Sequence, residues 1–150
     1  MCISNKTLIF AEKIYFVVIV LNMVVDLFAL CDFAKNDGGR LTIIDTFDNI
    51  RAEKLPWRAY FGFAIKLCVN PEDFDNKELT LKIFSQKKND VPLFCASTRL
   101  TVNSKKGILA IAGNLKGLLF ENAGEHDFKV YLDGNEIYTH TFSLEVKTNG

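Results

Sequence analysis

The sequence has little of the side chains on which most catalytic and metal chemistry depends. Only two histidines, His126 and His140, occur among its 150 residues, which leaves few candidates for acid–base or zinc chemistry. No CxxC pair, GxSxG elbow, phosphate-binding loop, GxGxxG turn, HExxH motif or calcium-loop pattern is present. The sequence therefore predicts a protein that is not an enzyme and that carries no cofactor and no metal.

An excess of one charge is also missing. Eighteen Lys and Arg residues balance eighteen Asp and Glu residues, so no overall basic charge is available to hold a nucleic-acid backbone. Phenylalanine is abundant, with thirteen residues against four tyrosines and one tryptophan. Because the Phe ring has no polar end, this composition favours one apolar core. The balance of charge predicts no nucleic-acid partner.

The four cysteines give no metal-ligand spacing. Cys31, Cys68 and Cys95 each lie inside an apolar run typical of a strand, and Cys2 lies near the N-terminus. We expect buried free thiols, which behave as small apolar side chains. An inter-sheet disulfide in a secreted protein is the alternative.

Residues 1–22 do not follow the pattern of the rest of the chain. The apolar run from Ile14 to Val25 is similar to the core of a signal peptide, but no small-x-small cleavage site follows it. A stable transmembrane span needs about 20 apolar residues, which this run does not provide. We interpret 1–22 as an extension from a misplaced start codon, so that translation begins at Met23 and the protein is cytoplasmic. Two alternatives stay open, an exporting signal or membrane anchor and a helix packed on the domain.

Alternation of apolar and polar residues dominates from Met23 onward. The clearest run spans 59–69, which predicts a strand with one buried and one open face. Gly113 and Gly117 limit a further strand to 108–112, with an irregular crossing after it. Asp133-Gly134 is typical of a hairpin turn. Seven or eight such strands predict an all-β, immunoglobulin-like antiparallel β-sandwich over residues 23–150, with the extension outside the fold.

Three stretches resemble a known family. They are LFALCDFA (27–34), LTIIDTFDNI (41–50) after the Gly-Gly turn, and AGEHDFKVYLDGNEI (123–137). The resemblance covers residues 23–146 and is to small bacterial proteins of uncharacterised function, whose members typically begin at the position of Met23. It implies a β-sandwich and no activity, and it carries over no catalytic residue. The stretch around His126 also resembles the tyrosine corner of immunoglobulin-like sandwiches, which implies a structural role for this histidine.

Remaining polar residues are weak candidates for chemistry. His140 lies on the apolar face of a predicted strand, as a core histidine with satisfied hydrogen bonds would. Acidic residues in turns can bind calcium, although solvated turns are common. Two such acidic residues lie at 73 and 75 in one turn. Four further aspartates would form a cluster only if the fold brought them to one end of a sheet: Asp32, Asp37, Asp45 and Asp48.

The strongest surface candidate is the segment Trp57, Arg58 and Tyr60, which follows Pro56. Trp, Tyr and Arg are the side chains most enriched at binding hot spots. The alternative is that Trp57 closes the open end of the core. We predict a non-enzymatic module for protein–protein interaction or self-assembly. A secreted or surface-anchored binding module that uses 1–22 as its signal is the alternative, and an enzyme with an unrecognised site is a minor one.

Overall fold

The computed structural model describes residues 23–70, 76–100 and 107–148, which form nine β-strands and no helix. The strands are β1 (Met23–Asp37), β2 (Arg40–Phe47), β3 (Asn49–Ala52), β4 (Trp57–Val69), β5 (Glu78–Ser85), β6 (Phe94–Arg99), β7 (Ile108–Phe120), β8 (Gly124–Leu132) and β9 (Asn135–Val146). One sheet has the order β2-β1-β4-β7 and the other β3-β9-β8-β5-β6. The predicted all-β sandwich of two sheets is confirmed, and the described residues form nine strands where seven or eight are expected.

The stretch 41–50 is divided between β2 and β3, which belong to different sheets. The chain leaves the first sheet after Phe47, and β3 then pairs with β9 in the second sheet. The amide of Ser143 donates to the Asp48 carbonyl at 3.0 Å, which fixes the crossing. Ile50 and Ala52 alternate into the core. The β3–β9 ladder is parallel, whereas the other ladders between the described strands are antiparallel.

Phenylalanine rings join the two sheets, as the composition predicts. Phe128 of β8 meets Phe28 of β1 at a centroid distance of 5.0 Å and Phe63 of β4 at 5.3 Å. Phe142 of β9 meets Phe61 of β4 at 6.3 Å. Burying apolar area contributes roughly 25 cal/mol per Å², so these ring contacts dominate the stability of the sandwich.

β7 differs from the expected short strand, because it continues unbroken from Ile108 to Phe120. Gly113 lies against the ring of Phe63, where a Cβ atom would come within 2.6 Å of ring carbons. Gly117 has a φ of 79° and is the extra residue of a bulge opposite Ala59 and Tyr60. The prediction of an irregular crossing is therefore wrong, since both glycines shape a strand instead of ending it.

The outer face of β4 is covered in its middle, although the alternation predicts an open face. β1 pairs with β4 as far as Cys31 opposite Gly62 and then crosses over that face. The Ala34 amide donates to Asn114 Oδ1 at 3.0 Å, and Asn114 Nδ2 donates to the Ala34 carbonyl at 2.8 Å. A Cβ atom on Gly62 would lie 2.9 Å from the Ala34 nitrogen, so the crossing requires glycine there. Ala64 is buried beneath it.

The cysteines of the described residues are free thiols with different surroundings. Cys31 is buried, and this burial raises the pKa of its thiol. Cys68 is half-buried, and Cys95 is exposed on β6. The expectation of buried thiols holds for Cys31 and is wrong for Cys95, because β6 is an edge strand with little packed against it.

The predictions for residues 1–22, for Cys2 and for the acidic turn at 73 and 75 concern residues outside the described ranges. Within the described ranges, no helix is long and apolar enough to cross a membrane.

Candidate functional site

Among the described residues, one half of β4 has no neighbouring strand on one side. The β1–β4 ladder ends at Cys31 opposite Gly62, and β1 then leaves β4. β4 continues as residues 57–61, which pair with β7 alone. We call the gap that β1 leaves beside residues 57–61 the notch.

The notch is an open cavity of about 300 Å³ between the two sheets. Its lining residues are Asp32, Phe47, Asn49, Ile50, Arg51, Trp57, Tyr60 and Phe61. Phe47 and Phe61 meet at a centroid distance of 6.0 Å and give it an apolar floor. A second concavity of about 260 Å³ continues over the outer face and shares Asp32, Tyr60 and Phe61 with the notch.

Main-chain groups of β4 point into the notch. The Val69 amide donates to the Gly107 carbonyl of the β7 side at 2.6 Å. Because main-chain groups alternate along a strand, Val69 and every second residue before it face β7. The N–H and C=O groups of Tyr60 and Arg58 therefore face the side that β1 has left, where no described residue pairs with them.

The opposite wall of the notch is β3, an edge strand of the second sheet. The carbonyl of Asp48, just before β3, accepts from the Ser143 amide at 3.0 Å. The carbonyl of Ala52, the last residue of β3, accepts from the Lys147 amide on the β9 side at 2.8 Å. By the same alternation, the main-chain groups of the intervening Arg51 point away from β9. Arg51 and Asp32 also give the notch one charge of each sign.

All three predicted surface residues lie at the notch, but their side chains differ in exposure. Trp57 is half-buried, and its ring packs at a tilt on Phe120 with a centroid distance of 6.3 Å, as expected if Trp57 closes the open end of the core. Arg58 Nη1 donates to the Gly117 carbonyl at 3.0 Å and so anchors the β7 bulge. Tyr60 is 70% exposed, and its ring is the part of the segment most available to a partner. Sequence alternation could locate Tyr60 but not the departure of β1 beside it.

His140 lies at a separate cleft of about 500 Å³ between β1, β2 and β9. Its Nε2 lies 2.9 Å from Asp48 Oδ1, and its ring stacks on Phe28 at 4.9 Å. The side chain is half-buried, so the expected satisfied histidine is found at the edge of the core instead of inside it. No three His, Cys, Asp or Glu side chains converge anywhere in the described ranges, and the four aspartates considered from sequence form no such group.

His126 is fully buried and has the surroundings of a structural corner. Its Nδ1 lies 3.0 Å from the Gly124 carbonyl, which can only accept, so this nitrogen carries the proton. Nε2 is buried without a partner among the described residues. Phe142 stacks on the ring at 5.5 Å, and Phe120 meets it edge-on at 5.0 Å. Burial lowers the pKa of His126, which keeps the ring neutral.

Comparison with known proteins adds a family and no activity. No curated protein matches the sequence. An immunoglobulin-like protein from Pseudomonas aeruginosa resembles the structure with a TM-score of 0.42 and 13% identity, over 82% of this chain and 96% of that one. A family model for a family of unknown function matches residues 26–147, which confirms the expected uncharacterised domain, while its bacterial origin stays a prediction. The chain belongs to this family of unknown function, DUF6941.

Proposed function

We propose that the protein is a non-enzymatic module that binds a partner protein at the notch. The observation that carries the proposal is Tyr60, which is 70% exposed beside unpaired main-chain groups and an apolar floor. Exposed aromatic rings next to apolar surface are typical of protein-binding hot spots. Trp57 stiffens the wall behind Tyr60 by packing on Phe120.

The shape and charge of the notch favour a protein over a small molecule. Its volume of about 300 Å³ is at the low end for small-molecule sites, which also enclose most of their ligand. The notch instead opens onto a second concavity on the outer face. Asp32 and Arg51 supply opposite charges, so no single ionic group is selected.

The histidines support the non-enzymatic part of the proposal. His126 is enclosed by Phe120 and Phe142, which leave no room for a reacting group beside it. His140 is engaged by Asp48 and Phe28 at a different cleft from the notch. A general acid or base must reach its substrate, and neither ring is placed to do so at the notch.

Affinity capture from a lysate of the source cells tests the proposal. Tyr60→Ala removes the exposed ring, and Tyr131→Ala removes a half-buried tyrosine of the other sheet as the control. We expect the wild type and Tyr131→Ala to retain a common partner and Tyr60→Ala to lose most of it. Equal recovery by all three proteins would remove the notch as the binding surface. Light scattering of the same samples reports self-association, the other form of assembly that the sequence predicts.

A further inference from the structure

We propose that the partner enters the notch as an extended segment that pairs with the Arg58 and Tyr60 main chain, in the strand position that β1 leaves. This inference rests on the proposed function and names the form that the partner takes. Addition of a strand to an unpaired edge is a common mode of peptide recognition, in which main-chain hydrogen bonds supply affinity.

The strand position is defined by the ladder that stops beside it. β1 pairs with β4 from Met23 opposite Val69 to Cys31 opposite Gly62. β4 remains a strand beyond this point, because β7 still pairs with it as far as Trp57 opposite Phe120. A partner strand at the usual spacing of about 4.8 Å would therefore continue the β1 position along residues 57–61.

The unpaired groups of the notch contrast with the other edge of the same sheet. β7 is an edge strand, and side chains occupy two of its carbonyls. Asn36 Nδ2 donates to the Ala110 carbonyl at 2.8 Å, and Arg58 Nη1 donates to the Gly117 carbonyl at 3.0 Å. Such caps and the bulge at Gly117 hinder edge pairing, whereas no described side chain caps the main chain of Tyr60.

β4 is the better template of the two edges that line the notch. Residues 57–61 continue an existing antiparallel ladder, whereas β3 has only four residues and belongs to the other sheet. The segment would alternate its side chains between the Phe47–Phe61 floor and the Tyr60 ring. We therefore expect a segment with apolar residues at every second position and no central proline.

Selection of peptides against the immobilised full chain tests the inference with a defined probe. A displayed library of random dodecapeptides is the source, and the enriched sequences are synthesised and titrated against the wild type, Tyr60→Ala and Tyr131→Ala. Each main-chain amide of the best peptide is then N-methylated in turn. Because only alternate amides of a strand face its neighbour, we expect losses of about tenfold or more at every second position and little change between them.

The outcomes separate the strand inference from the proposed function. Peptides that lose affinity on Tyr60→Ala, but show no period of two in the methylation series, would overturn strand addition and leave the notch as a binding surface. Peptides that bind all three proteins equally would overturn both. A library that yields no binder overturns strand addition, and light scattering that shows a dimer lost in Tyr60→Ala would assign the notch to a second copy of the chain.

Discussion

The two halves of β4 have the same alternating sequence and different neighbours. Residues 62–69 have β1 on one side and β7 on the other, and Ala34 covers the outer face at Gly62. Among the described strands, residues 57–61 pair with β7 alone, and Tyr60 is 70% exposed. A single event accounts for both conditions, because the turn of β1 away from β4 after Cys31 covers Gly62 and uncovers Tyr60. The covered half thus depends on packing, and the open half leaves the Tyr60 ring exposed.

Gly62→Ala should break the covered half and has the largest expected effect. Its Cβ atom would lie 2.6 Å from Asn114 Oδ1 and 2.9 Å from the Ala34 nitrogen, so the crossing of β1 must shift. Overpacking of this kind costs about 1–3 kcal/mol, and we expect about 3 kcal/mol because main-chain atoms are involved. Urea unfolding at constant m measures the loss.

The double variant Gly62→Ala with Asn114→Ala is the control for that mechanism. It removes the closest of the clashing atoms, so its loss should be smaller than the sum of the two single losses. Additive losses would show that Gly62 matters for a reason other than the approach of Asn114.

Asn114→Ala should loosen the hold on the Ala34 main chain, which covers Gly62, without adding bulk. It removes the hydrogen bonds to the Ala34 amide and carbonyl, each contributing about 1 kcal/mol, so we expect a loss of about 2 kcal/mol. The Ala34 amide should also exchange its hydrogen faster, because β1 is held there by the Asn114 side chain. Asn49→Ala, which changes an exposed asparagine at the notch, is the matched control. Unchanged exchange at Ala34 would contradict the assigned role of Asn114.

Acid should weaken the wall behind the open half before the covered half. Burial lowers the folded-state pKa of His126 below its ordinary value of 6.5, so the unfolded chain takes up this proton more readily. Stability from the neutral ring is complete above about pH 6.5 and falls as pH drops toward the folded pKa, by at most about 1.4 kcal/mol per unit. Nearby Glu125 and Asp127 oppose this shift, and Lys87 reinforces it.

The pH effect is measured by denaturant unfolding between pH 7 and pH 5.5, where we expect the free energy of unfolding to fall as the pH is lowered. His126→Phe should abolish this dependence, since a phenyl ring fits between Phe120 and Phe142 without a titrating group. Because Phe120 also packs on Trp57, the protection factors of amides at residues 57–61 should fall more between pH 7 and pH 5.5 than those of residues 62–69. An equal pH slope in both proteins would assign the loss to other groups.

Local pattern predicts the strands well and their meeting points poorly. The alternation over 59–69 lies within β4, and the Asp133-Gly134 turn connects β8 to β9. Both signals come from residues that are close together in the sequence. The cover on β4 depends instead on Ala34 and Asn114, which are 80 residues apart. The alternation of apolar and polar residues along a strand carries no information about such a distant contact. The exposure predicted for the face that holds Gly62 is therefore wrong at Gly62 and correct at Tyr60. The sequence also does not reveal the bulge at Gly117, because a glycine that ends a strand and one that forms a bulge look alike in sequence.

Within the open half, Tyr60→Ala should have the smallest effect on stability of the variants considered. Trp57→Ala, three residues away, should have a clearly larger one. Tyr60 is 70% exposed, so its truncation should change the free energy of unfolding by under about 0.5 kcal/mol. Trp57 is half-buried against Phe120, so its truncation should cost about 2 kcal/mol through lost packing. Thermal and urea unfolding of both variants, with Tyr131→Ala as the reference, measure the difference. A loss at Tyr60 as large as that at Trp57 would mean that the open half is held by its aromatic side chains, and that Tyr60 supports the fold instead of a partner.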